Sequence, residues 1–195
     1  MKKALIVLFA VLSIGCTGAA FDEFYGHGQI TVTKDHLNAS TDIKLTPAHT
    51  AGPDGSLNTL KIGARWDSST PTFAVLDLSY KSNSSGTVYL SYNSVDFNVD
   101  GDRYELDSGR TSMNRGEWNE YLGAYDTFSE ATVIISMDRL DRIMSAKNAV
   151  ARFYTSDGYI DVDLKALEQE NGMMILLASR LIEFRQEISN YQEEK

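Results

Sequence analysis

The sequence predicts an α+β domain, a mainly antiparallel β-sheet with a short helix and a long C-terminal helix packed on it. Three patterns predict it. Apolar and polar residues alternate through successive short runs between positions 59 and 164, the period of half-buried strands. Asp100-Gly101 and Asp157-Gly158 separate such runs, and Asp-Gly pairs favour two-residue hairpin turns. Near the C-terminus Met174, Leu177, Leu181, Phe184, Ile188 and Tyr191 recur instead at steps of three and four, the stripe of an amphipathic helix.

Taken in order, the segment from Thr17 to about Pro53 is polar and interrupted by Gly26, Gly28, Pro47, Gly52, Pro53 and Gly55. It reads as a tether, residues 16–56, carrying one edge strand over Gln29–Thr33. Strands are predicted over Thr59–Trp66, Phe73–Tyr80, Thr87–Tyr92, Val95–Val99 and Arg103–Leu106. Leu60, Ile62 and Ala64 alternate with polar neighbours, as do Val88, Leu90 and Tyr92. Ser68-Ser69-Thr70-Pro71 and Asn83-Ser84-Ser85-Gly86 supply turn residues between them. Arg110–Ser129, rich in Asn, Gly and Tyr around Trp118, is the longest loop predicted inside the domain. Ala131–Met137 reads as a strand, and Asp138 caps a short helix through Ala146. Ala149–Thr155 and Tyr159–Leu164 form a hairpin. The closing helix starts at Lys165 or Gly172 and ends at Tyr191. A single domain therefore occupies 57–191, followed by an acidic tail over 192–195.

Composition narrows the function classes. With 43% hydrophobic residues and only 3 Pro, the chain is neither disordered nor collagen-like. A single Cys excludes a disulfide framework within a monomer and every multi-Cys metal module. Acidic residues outnumber basic ones 27 to 18, and the net charge of −9 opposes nucleic acid or anionic lipid as a default partner.

The N-terminus carries the clearest functional signal. Lys2 and Lys3 precede the apolar run Ala4–Leu12, and small or polar residues follow through Gly18, the layout of a secretory signal peptide. The one Cys, Cys16, ends this pattern behind Leu12-Ser13-Ile14-Gly15, a placement that resembles the lipobox of bacterial lipoproteins. The resemblance implies a signal peptide over 1–15, diacylglyceryl transfer to the Cys16 thiol, cleavage after Gly15 and acylation of the new amino terminus. Thr17, rather than Asp, after the Cys implies sorting to the outer membrane. Three acyl chains suffice for a stable anchor. Two alternatives stay open: cleavage after Gly18-Ala19-Ala20, releasing a periplasmic or secreted protein, and an uncleaved anchor over Ala4–Phe21. Loss of Lys2 and Lys3 leaves 16 basic against 27 acidic residues, a net charge of −11.

Two motifs are candidates for ligand chemistry. Asp96, Asn98, Asp100 and Asp102, with Gly101 between the last two, match the oxygen ligands and turn glycine that open an EF-hand loop, and Asp107 stands at its twelfth position. The competing reading is a hairpin on an Asp100-Gly101 type I′ turn, pairing Phe97 with Tyr104, Val95 with Leu106 and Asn98 with Arg103. That register sets Asp96 opposite Glu105, a like-charge pair in need of a cation or an Arg. The second hairpin is expected to pair Phe153 with Val162, Thr155 with Ile160 and Arg152 with Asp163. Glu117, Trp118, Glu120 and Tyr121, with Tyr125, form the other candidate, a carbohydrate-binding-like aromatic platform with two carboxylates, although Trp118 and Tyr121 are equally suited to capping the core from a loop. His27, His36 and His49 match no compact ligand spacing. Gly-x-Ser-x-Gly elbows and phosphate-cradling glycine loops are missing from the sequence.

The expectation is an exported, lipid-anchored envelope protein with a non-enzymatic binding or structural role. Its partners would be the membrane, through acylated Cys16, and another envelope protein. A glycan- or Ca²⁺-binding module is one alternative. A cell-wall or glycan hydrolase using Glu117 or Glu120 as acid is the other.

Overall fold

The computed structural model describes residues 28–35, 37, 39–84, 88–109, 112–120, 123–166 and 176–193. Among them the order is β1 (Ile30–Asp35), β2 (Ser40–Ala51), β3 (Leu57–Asp67), β4 (Phe73–Ser84), β5 (Leu90–Val99), β6 (Asp102–Leu106), β7 (Ser112–Asn119) and β8 (Ala124–Ser136). Helix α1 (Met137–Ser145), β9 (Ala149–Thr155), β10 (Gly158–Asp163) and helix α2 (Leu177–Glu193) complete it. The strands form a six-stranded sheet, β1-β2-β3-β4-β8-β7, and a four-stranded sheet, β10-β9-β5-β6. Every ladder in both is antiparallel. One hydrophobic core takes residues from both sheets and both helices. The domain is thus mainly antiparallel β, with a short helix and a C-terminal one against it.

The segment expected to be a tether lies in the sheet from Ile30 onward. Thr41, Ile43, Leu45, Ala48, Thr50 and Ala51 of β2 are buried, and β2 pairs β1 on one side and β3 on the other. The alternation was hidden by a register shift between Leu45 and Ala48 that spans Pro47, since a bulge moves the inward positions by one residue. Gly63 accommodates this bulge: a Cβ there would lie 2.6 Å from the Leu45 carbonyl oxygen.

Two further boundaries differ for the same reason. The predicted loop over 110–129 contains β7 and the start of β8, whose pairing shifts between Arg115 and Trp118, where Gly116 closes onto Asp126. The two strands expected over 87–92 and 95–99 are one, β5, with an irregularity between Leu90 and Val95.

The first hairpin has the expected register. Val95 pairs with Leu106, Phe97 with Tyr104 and Asn98 with Arg103, while Asp100 (φ 51°) and Gly101 (φ 95°) are both left-handed, as a type I′ turn requires. The second hairpin is displaced by two residues: Phe153 pairs with Ile160, Arg152 with Asp161 and Thr155 with Gly158. A shift of two leaves every side chain on its own face, so the hydrophobic pattern cannot select between these registers. The turn is Ser156-Asp157, and Gly158 takes the φ of 147° just after it.

Helix α1 is capped by Ser136 rather than Asp138. The Ser136 hydroxyl accepts the Arg139 N–H at 3.3 Å, and Asp138 sits in the first turn, where a negative charge suits the helix dipole. Helix α2 buries Leu177, Ala178, Leu181, Phe184 and Ile188 against β2 and β3, with Tyr191 edge-on to Trp66 at 5.7 Å. Arg185 of α2 donates to both carboxylate oxygens of Asp141 in α1, at 2.7 and 3.2 Å.

Candidate functional site

The strand period that sends Val95, Phe97, Ala151 and Phe153 into the core sends their neighbours to the opposite face of the four-stranded sheet. The registers align one outward row across all four strands: Glu105 of β6, Asp96 of β5, Arg152 of β9 and Asp161 of β10. These side chains, with Asn98, Arg103 and Val150, line an open groove of about 500 Å³. The next outward row on β9 and β10 pairs Tyr154 with Tyr159.

The polar groups here are fixed by one another. Arg152 donates from Nε and Nη2 to the two oxygens of Asp161 at 2.7 and 2.8 Å, the planar fork geometry that only Arg provides. Its guanidinium carbon lies 3.9 Å from the centre of the Tyr159 ring, which is 58% exposed. Tyr154 donates its hydroxyl to Asp96 Oδ2 at 2.6 Å. The like-charge pair anticipated between Asp96 and Glu105 is therefore relieved by a Tyr donor, with Arg152 directly across the ladder.

The two donors are held in their protonated states. The hydrogen bond to Asp161 raises the Arg152 pKa, and the hydrogen bond to Asp96 raises that of Tyr154. Both can orient a polar ligand.

The structure divides the EF-hand-like residues. Asp96 and Asn98 line the groove, and Asn98 also accepts the Gly101 N–H at 3.1 Å. Asp100 turns away, accepting the backbone N–H groups of Asn148 at 2.9 Å and Lys147 at 3.1 Å. The Asn148 bond is the main reason its carboxyl lies below the ordinary value. Asp102 pairs with Arg142 of α1, and Asp107 borders a separate depression with Ser108, Gly109 and Ile134. Among the described residues no group of three or more His, Cys, Asp or Glu is arranged to hold a metal ion.

Trp118 stands on β7, 47% exposed and edge-on to Tyr125 at 4.7 Å. The Arg115 guanidinium covers the Tyr125 ring at 3.6 Å. Glu120 is exposed in the turn after β7. The side chain of Glu117, Tyr121, Cys16 with its leader, His27 and His36 lie outside the described residues. His49 is in β2, opposite Lys61.

Sequence reasoning missed Arg152, Tyr154 and Asp161 as parts of one array. Their outward alternation was readable, but the β5–β9 pairing that brings Asp96 to them joins strands some fifty residues apart. No family model and no curated protein matches this chain.

Proposed function

We propose that this chain is exported, anchored to the outer membrane of a bacterium through acylated Cys16, and that it binds another envelope component without catalysis. The binding surface in this reading is the outward face of the four-stranded sheet. One observation carries it: Arg152, Asp161, Tyr154 and Asp96 are locked into a preset array in an open groove, with no described element across it. Pre-set donors and acceptors bind with less ordering cost than free side chains do. A glycan is the second reading, favoured by the exposed Tyr159 ring stacked on Arg152 beside a carboxylate.

The anchor is tested by intact mass and membrane fractionation beside Cys16→Ala. A membrane-bound product starting at Cys16 with acyl mass, lost in the variant, supports it. A soluble product starting near Phe21 in both refutes it. The groove is tested by placing a photocrosslinking residue at Tyr159 in the bacterial envelope. A discrete adduct that disappears with Arg152→Ala supports the site, and no adduct, or one indifferent to that change, refutes it. Adducts with polysaccharide rather than protein decide for the glycan.

A further inference from the structure

The β7–β8 hairpin presents large apolar side chains to solvent on both faces. Met113 and Trp118 are 51% and 47% exposed on the face that also carries exposed Arg115 on β7 and buried Thr127 and Ser129 on β8. Met113 sits directly across from buried Ser129, so the cover over this face ends between β8 and the edge strand β7. On the reverse face Phe128 is 44% exposed, with the Lys81 ammonium 5.2 Å from its ring centre. Trp and Tyr rings, with Arg and Lys set over aromatic faces, are the side chains that suit the boundary between lipid headgroups and water.

We infer that the β7–β8 hairpin rests in the headgroup layer of the membrane that holds the chain. This rests on the acylated Cys16 of the proposed function. The reach allows it: twelve residues separate Cys16 from Gly28, a span of at most about 40 Å. The six-stranded sheet, with β1 at one edge and β7 at the other, is about 24 Å wide. A tether entering beside β1 can thus let the β7 edge meet the same bilayer. Charge identifies the lipid. Arg115 and Lys81 are outnumbered by Asp126, Glu120 and Glu130, and Lys81 already pairs with Asp126 at 3.2 Å, so anionic headgroups gain nothing and zwitterionic ones fit.

Trp118 reports on this directly, because the other Trp, Trp66, is only 2% exposed. The full chain is titrated with phosphatidylcholine vesicles, with and without acyl chains brominated near the headgroup, beside Cys16→Ala. The expected result is a blue shift of the Trp118 emission and its quenching by the brominated lipid, absent in Trp118→Phe and unchanged by added phosphatidylglycerol or salt. Vesicle flotation separates the two ideas. An acylated protein that floats while Trp118 stays unshifted and unquenched overturns the hairpin contact and leaves the anchor standing. If no acyl mass is found, the same lipid titration decides alone: a shift supports the hairpin contact, and none overturns it. A Trp118 response to soluble peptidoglycan fragments but not to vesicles also overturns it, in favour of a glycan platform.

Discussion

Ile43→Ala should remove a large part of the domain's stability, although Ile43 lies in a stretch whose sequence reads as a tether. Its side chain has no exposed surface and faces Trp66 across the β2–β3 ladder, and Trp66 meets Tyr191 of α2. Truncation removes three buried carbons, about 2.4 kcal/mol at roughly 0.8 kcal/mol per methylene. The cavity left between β2, β3 and α2 raises this to about 3–4 kcal/mol. For a domain of this size the melting temperature falls by about 2–4 °C per kcal/mol, hence by roughly 6–16 °C. Urea unfolding followed by far-ultraviolet circular dichroism measures it: the midpoint should drop by about 1–2 M with the slope unchanged. Val32→Ala, at a position 45% exposed on β1, is the control and should stay within about 0.5 kcal/mol of the parent. An Ile43→Ala protein as stable as that control would refute the placement of β2 in the core.

Gly63→Ala should cost about 1–3 kcal/mol in the same assay, because the new methyl meets the Leu45 carbonyl and the β2 bulge must move. Thr127→Val should leave stability unchanged or raise it by about 1 kcal/mol, since the Thr127 hydroxyl is buried without a hydrogen-bond partner among the described residues; a lower melting temperature would reveal a further partner. Asp100 contributes to acid stability: its folded pKa is depressed, so its contribution is present above about pH 4 and is lost as pH falls through the folded value. Asp100→Asn should flatten that acid limb in a plot of melting temperature against pH. Millimolar Ca²⁺ should not shift the melting temperature, because Asp100 and Asp102 are engaged elsewhere; a gain approaching about 2.7 kcal/mol, expected at 100 times the dissociation constant, would restore the calcium reading.

The parts of the site that were legible are those set within one hairpin. Asp96 opposite Glu105 followed from the Asp100-Gly101 turn alone, because a two-residue loop fixes every pair that follows. Trp118 is legible as part of an aromatic platform with Tyr125, but the Arg115 guanidinium over the Tyr125 ring is not, since the bulge after Arg115 decides which residues share a face. The Arg152–Asp161 fork was within reach and was read two residues away, as Arg152 with Asp163. Both registers keep opposite charges together and both bury the same strand face, so nothing local separates them.

The sequence by itself determined the mainly antiparallel character of the domain, the Asp100-Gly101 hairpin, the short helix at 137–145 and the buried stripe of α2. Each depends on a local period or on turn chemistry written within a few residues. Only the tertiary structure decided that β1 and β2 belong to the six-stranded sheet, that β5 lies between β6 and β9, and that Asp96, Tyr154, Arg152 and Asp161 form one array. Bulges at Pro47 and Gly116 erase the two-residue period over just the strands that close the sheet. Pairings between distant strands are set by the burial of a shared core, a free energy no single segment contains.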